Sequence, residues 1–144
     1  MLEQRICEPI LGFFNECRFL SNYHLCECVV NDISFISSEH AYMFQKSDDK
    51  EYQQSIIDAV TPREAKRVGR NVKLRDDWDS YRNTAMLIAL TAKFKNERER
   101  GMLLATGDAY LEETNTWNDT YWGVCNGKGK NMLGTMLMNI RSRL

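Results

Sequence analysis

The tetrapeptide Thr61-Pro62-Arg63-Glu64, with a glycine following at Gly69, commits this chain to short, punctuated helices. A threonine accepts a bond from an exposed first-turn amide, proline at the first helical position forfeits no bond, and glutamate completes a capping box. Gly69 supplies the expected C-terminal stop. The same grammar recurs downstream. Asp76 and Asp77 precede Trp78, Tyr81, Ala85, Ile88, Ala89 and Ala92, whose three-and-four spacing predicts a longer helix with one buried face. Asn96 is placed to cap the next helix, which carries Met102, Leu103 and Leu104 before a stop at Gly107. Asn131 opens a last one, with Leu133, Met136, Leu137 and Ile140 in its stripe.

Strand signals are confined to the N-terminal part. Residues 26–30 and 33–36 favour strands, and the turn pair Asn31-Asp32 between them predicts a small hairpin. Ser37 or Ser38 then caps a helix beginning near Glu39. Between Gly107 and Asn131 the periodicity fails, and loops beyond about 12–15 residues are often functional, so residues 115–130 are the first place to seek a site. The expected fold is α+β and predominantly helical. A length of 144 residues, near the roughly 150 of one domain, predicts a single compact domain over residues 1–144 with a small N-terminal β-sheet.

The charge balance narrows the function classes. Nineteen Lys and Arg against twenty Asp and Glu leave a net charge of −1, which argues against a surface that grips nucleic acid or anionic membrane everywhere and leaves room for a local basic patch. No apolar run approaches the roughly 18 residues of a membrane span, and residues 1–10 are too polar for a signal peptide. The five cysteines, an odd number, fit reduced thiols in a cytoplasmic protein. His24, Cys26 and Cys28 alternate along a strand and can share a face, but a fourth ligand would have to come from far along the chain. Two small core-facing cysteines are the plainer reading, and neither metal nor cofactor is expected.

Two segments can do chemistry. On a helix, Glu39, Tyr42 or Met43, and Lys46 recur along one face, so a carboxylate and an amine can look into one cleft; an exposed face with Glu near its N-terminus is the plain alternative. His40 points away from Glu39. Between Asp119 and Gly134, closely spaced glycines precede a helix start, so backbone amides with Lys128 or Lys130 can approach an anion, although neither a P-loop nor a dinucleotide fingerprint is present. A flexible turn capped by Asn131 is equally compatible. Trp78, Trp117 and Trp122 can stack on a flat base or anchor a core, and Asp119 is a second acid or a turn former.

Together these segments resemble the NADAR, or YbiA-like, family. The matching residues run in order: Phe19-Leu20-Ser21-Asn22, Ser38-Glu39-His40-Ala41-Tyr42 with Lys46, Thr61-Pro62-Arg63-Glu64-Ala65-Lys66, Gly69-Arg70, Trp78, Arg82, Met86, Lys93-Phe94 and Thr106-Gly107-Asp108. Asp119, Trp122-Gly123, Gly127, Asn131, Leu133-Gly134, Met138 and Arg141 close the series. The resemblance implies an N-glycosidase that cleaves ribosyl compounds without a metal or cofactor. Its expected substrate is a ribosyl nucleotide, foremost ADP-ribose on guanine bases of nucleic acid. Phosphoribosylated intermediates of riboflavin synthesis are the runner-up, and a noncatalytic ADP-ribose sensor is the alternative. Glu39 is the expected catalytic carboxylate, with Lys46 and Asp119 as further catalytic groups. Asn22, Tyr42, Trp78, Trp122 and Gly123 are expected to bind substrate, and Gly127, Gly129 and Asn131 to lie on its phosphate side. Arg63, Lys66, Arg67 and Arg70 are candidates for a local nucleic-acid strip or simply a solvated helix face.

Overall fold

The computed structural model describes residues 7–144. The polar stretch weighed against a signal peptide begins in residues 1–6, outside the described residues. In chain order the elements are β1 (Ile10–Leu11), a 3-10 helix (Asn15–Leu20), β2 (Leu25–Val30), β3 (Ile33–Ser37), α1 (Ser38–Phe44), α2 (Lys50–Asp58) and α3 (Pro62–Gly69). Then come α4 (Trp78–Lys93), α5 (Glu97–Ala105), β4 (Leu111–Glu112), β5 (Thr114–Asn115), β6 (Val124–Cys125) and α6 (Met132–Ser142). The fold is α+β and predominantly helical, as the punctuation predicts. No helix among the described residues is long and apolar enough to cross a membrane. Two compact units form: a hairpin unit, Asn22–Asn96, and a terminal unit built from the described part of Met1–Ser21 with Glu97–Leu144.

In the hairpin unit, β2 and β3 pair antiparallel, with Val30 opposite Ile33 and Cys28 opposite Phe35. Asn31 and Asp32 both take positive φ, 48° and 64°, the backbone of a two-residue turn whose twist matches the strands. Cys28 and Phe35 face the core at 0% and 2% exposure, so Cys28 fills a core position. Phe35 meets Phe44 of α1 edge to face, ring centroids 5.0 Å apart.

Ser37 ends β3 and caps α1, its hydroxyl accepting from the His40 amide at 3.1 Å. His40 is 1% exposed, and its ring joins Ser37 Oγ (2.6 Å) to the Ala59 carbonyl (2.9 Å from Nε2). A carbonyl only accepts, so Nε2 carries a proton, and in the neutral ring Nδ1 accepts from the Ser37 hydroxyl. Burial favours that neutral ring, pushing its pKa below the usual histidine value against the pull of the Ala59 carbonyl. A folded pKa below the unfolded value means that the unfolded chain binds more protons as pH falls, so stability present above about pH 6.5 is lost on acidification. His40→Gln is expected to cost about 1–3 kcal/mol at neutral pH. It should also flatten the fall in thermal midpoint between about pH 7.5 and pH 5, which a melting series on both proteins would measure.

α3 begins as the sequence dictates, with Thr61 Oγ1 accepting from Glu64 N at 3.1 Å and proline in the first turn. Gly69 is its last residue, the stop that the sequence predicts, though no left-handed cap follows: Arg70 takes the right-handed cap position. A Cβ at 69 would collide with Met43 Sδ, which would have to shift, and press on Tyr52 Oη.

In the terminal unit, Gly107 does take positive φ, 63°, after α5. β1 pairs with β4 and β5 with β6, each as a parallel pair of two residues. Asn131 precedes α6 but has φ 52° and makes no side-chain cap. Its side chain crosses to β4 instead, Nδ2 donating to Leu111 O (2.9 Å) and Oδ1 accepting from Glu113 N (3.0 Å).

Candidate active site

The hairpin unit gathers Asn22, Glu39, Tyr42, Lys46 and Trp78. α1 ends at Phe44, two residues short of Lys46, but Gln45 N and Lys46 N still bond back to Tyr42 O and Met43 O at 3.2 Å. That extra turn keeps Lys46 in line with Glu39 and Tyr42. The start of α1 is fixed by Asn22, which accepts from Ser38 Oγ on Oδ1 (2.8 Å) and from Glu39 N on its carbonyl (3.2 Å). Asn22 Nδ2 rests against Met86 Sδ at 3.4 Å, so much of its bonding capacity orients the helix that carries Glu39.

Glu39 is only 6% exposed, rare for a glutamate, and sits in the first turn of α1 where the helix dipole favours a negative charge. Its field is felt all round. After burial, the Glu39 carboxylate is the next cause that raises the Tyr23 and Tyr52 phenol pKa values above the tyrosine norm. Tyr52 donates to Met43 O at 2.6 Å, which ties α2 to α1 behind the site.

Lys46 is half-buried. Its amine lies 6.0 Å from the Tyr42 ring centroid and 5.9 Å from that of Trp78, and donates to Gly69 O at 3.5 Å. The two rings pack together, centroids 5.5 Å apart and tilted by 50°. Burial lowers the Lys46 pKa, the attraction of Glu39 raises it, and Lys66 and Arg70 lower it further; the net direction is down. Desolvation outweighs the carboxylate, so the neutral amine is more accessible than in a surface lysine. A carboxylate, an amine tuned toward neutrality and an aromatic wall can together stabilise positive charge, attack an electrophilic carbon and cover a flat group.

Asp119, Trp122, Gly123, Gly127, Gly129 and Asn131 belong to the terminal unit. Asp119 Oδ1 accepts from Tyr121 N (3.1 Å) and Trp122 N (2.9 Å), a turn-forming aspartate. Trp122 packs edge to face on Tyr121 at 4.9 Å. Asn126 and Gly127, with φ 52° and 75°, form a two-residue turn between Cys125 and Lys128, whose amides and carbonyls bond reciprocally at 2.9 and 3.0 Å. Gly123 and Gly129 allow close approach: a Cβ at 123 would meet Glu113 O, and one at 129 would meet Gly123 O. The expected anion cradle is thus largely consumed by the chain itself. The amides of Lys130, Asn131, Met132 and Leu133 donate to the carbonyls of Thr120, Gly123, Tyr121 and Trp122.

Tyr23 and Tyr52 shape the surroundings of Glu39 and Lys46, and neither was marked by the sequence spacing that placed Met43 on this face. Asp49, which caps α2 by accepting from Tyr52 N at 3.0 Å, was the available signal for Tyr52.

Comparison with known proteins assigns the class. The chain is 42% identical over 128 residues to N-glycosidase YbiA of Shigella boydii, covering 86% of this chain and 79% of that protein. It is 36% identical over 130 residues to a riboflavin biosynthesis protein of Vibrio vulnificus, spanning 88% of this chain and 35% of the relative. An NMR structure of Escherichia coli YbiA superposes with a TM-score of 0.82 at 36% identity, covering 97% of this chain and 89% of that one. The protein is accordingly a glycosidase-type hydrolase. The NADAR domain model matches residues 8–144, and the chain belongs to the NADAR family.

Proposed function

We propose that this protein, as one NADAR domain, cleaves the N-glycosidic bond of ribosyl nucleotides in the cytoplasm, and that ADP-ribose attached to bases such as guanine in nucleic acid is its leading substrate. The observation that carries the reading is the pairing of a buried Glu39 with a Lys46 amine held toward neutrality beside Tyr42 and Trp78. Five free thiols fit a reducing compartment.

As the base leaves with the bonding electron pair, positive charge grows at the anomeric carbon of ribose. The Glu39 carboxylate offsets that charge or activates water. By a second route the base is still attached when the ribose ring opens: O4′ takes the C1′–O4′ pair and a proton, the neutral Lys46 amine adds to the resulting C1′=N iminium, and the base leaves with the C1′–N pair and a proton from the amine, giving a lysine imine that water hydrolyses to free the sugar and the lysine. Trp78 and Tyr42 cover the planar base, and Asp119 and Trp122 are carried as secondary candidates.

Phosphoribosylated riboflavin-pathway intermediates form the second reading, favoured by the name of the Vibrio relative. Purified protein offered ADP-ribosylated guanine nucleic acid and phosphoribosyl-pyrimidines side by side, with free base and sugar monitored, separates the two. Higher kcat/KM on the ADP-ribosylated substrate supports the first reading. Turnover of neither, with ADP-ribose still bound, would replace both with a sensor.

A further inference from the structure

We propose that α3 carries the phosphate-binding face of the site: Lys66 and Arg70, extended by Arg63, hold the 5′-phosphate of the ribosyl nucleotide whose ribose lies against Glu39 and Lys46. The inference rests on the N-glycosidase reading above and adds the anion subsite to it. Positions 63, 66 and 70 recur at three- and four-residue steps, so the three cations share one face of the helix. Arg67, one turn after Arg63, differs from these three in being paired with Glu64 at 3.6 Å. Among the described residues, no carboxylate makes an ion pair with Arg63, Lys66 or Arg70.

The face looks toward the candidate site. Lys66 Nζ lies 6.0 Å from the Tyr23 ring centroid, and the helix ends at Gly69, whose carbonyl receives the Lys46 amine. Electrostatics agree: Lys66 and Arg70 help hold the Lys46 pKa down, and Arg70 and Arg63 act in the same direction on the Tyr23 phenol. Three cations with no ion-pair partner of their own, beside a site that already holds an amine, repel one another, and an incoming phosphate relieves that repulsion through charge-assisted bonds. The glycine loop is a weaker rival, since the amides at the start of α6 are already paired with backbone carbonyls.

The test compares two substrates with the same base: ADP-ribosylated guanosine, and its ribosyl counterpart stripped by phosphodiesterase and phosphatase. Both encounter the same Lys46, so any change in its ionisation cancels in the ratio of their kcat/KM values. Lys66→Ala/Arg70→Ala is expected to cut the preference for the phosphorylated substrate about tenfold or more. Arg67→Ala should leave that ratio where it is. An undiminished ratio in the double variant overturns the subsite while the N-glycosidase reading stands. If the unmodified protein cleaves neither substrate, that reading fails, and calorimetry with ADP-ribose decides the subsite. Binding weakened about tenfold or more by the double substitution upholds it, and equal affinity overturns it.

Discussion

Glu39→Gln is expected to lower kcat by about 10²–10⁴-fold, the range for losing a positioned acid/base or charge-stabilising group, with little change in KM. The amide keeps the shape of the side chain and removes its charge, so α1 should keep its cap and packing. The charge also has a signature independent of turnover. Glu39 raises the pKa values of Tyr23, Tyr52 and Lys46, so all three should move down together in the variant. Tyrosine absorbance titration and NMR of methylated lysines would follow them. Tyrosine titrations that do not move would remove Glu39 from the electrostatic centre of the site, whatever the kinetics.

Lys46→Arg carries the second large effect, a loss of similar size, about 10²–10⁴-fold. Arginine keeps a positive charge and can still contact phosphate, but it cannot shed a proton to attack C1′. In the unmodified protein the Lys46 pKa lies below the ordinary lysine value. The neutral, reactive amine is lost as pH falls through that folded pKa, so kcat/KM should climb with pH across a window lying below about 10.4. Borohydride added during turnover should fix a sugar adduct on Lys46, found by peptide mass spectrometry. Full activity in Lys46→Arg with no adduct on the native lysine would assign Lys46 to electrostatic contact alone.

Much of this arrangement was legible because it is written locally. The Asn31-Asp32 turn, the Ser37 cap, the Thr61-Pro62 start and the spacing of Glu39, Tyr42 and Lys46 each depend on residues a few positions apart. What escaped depends on distant partners. Gly69 was legible as the end of α3, but not that a Cβ there would have to displace Met43, remote in sequence, and press on Tyr52. Asn131 looked like a cap, yet its amide spans to Leu111 and Glu113. The loop at residues 115–130 showed no period because its order comes from two-residue strands and cross-loop bonds, too short to leave a repeat. Likewise, nothing in the spacing of Arg63, Lys66, Arg67 and Arg70 shows that Arg67 is the one held by Glu64.

If Glu39 drives the release of a base from a ribosyl nucleotide, intact-mass analysis of an ADP-ribosylated guanine oligonucleotide after incubation with the unmodified protein and with Glu39→Gln will show it. The unmodified protein should return the oligonucleotide to its unmodified mass and release free ADP-ribose, while Glu39→Gln leaves the adduct in place over the same interval. An adduct that persists with the unmodified protein, or disappears equally fast with Glu39→Gln, would contradict it.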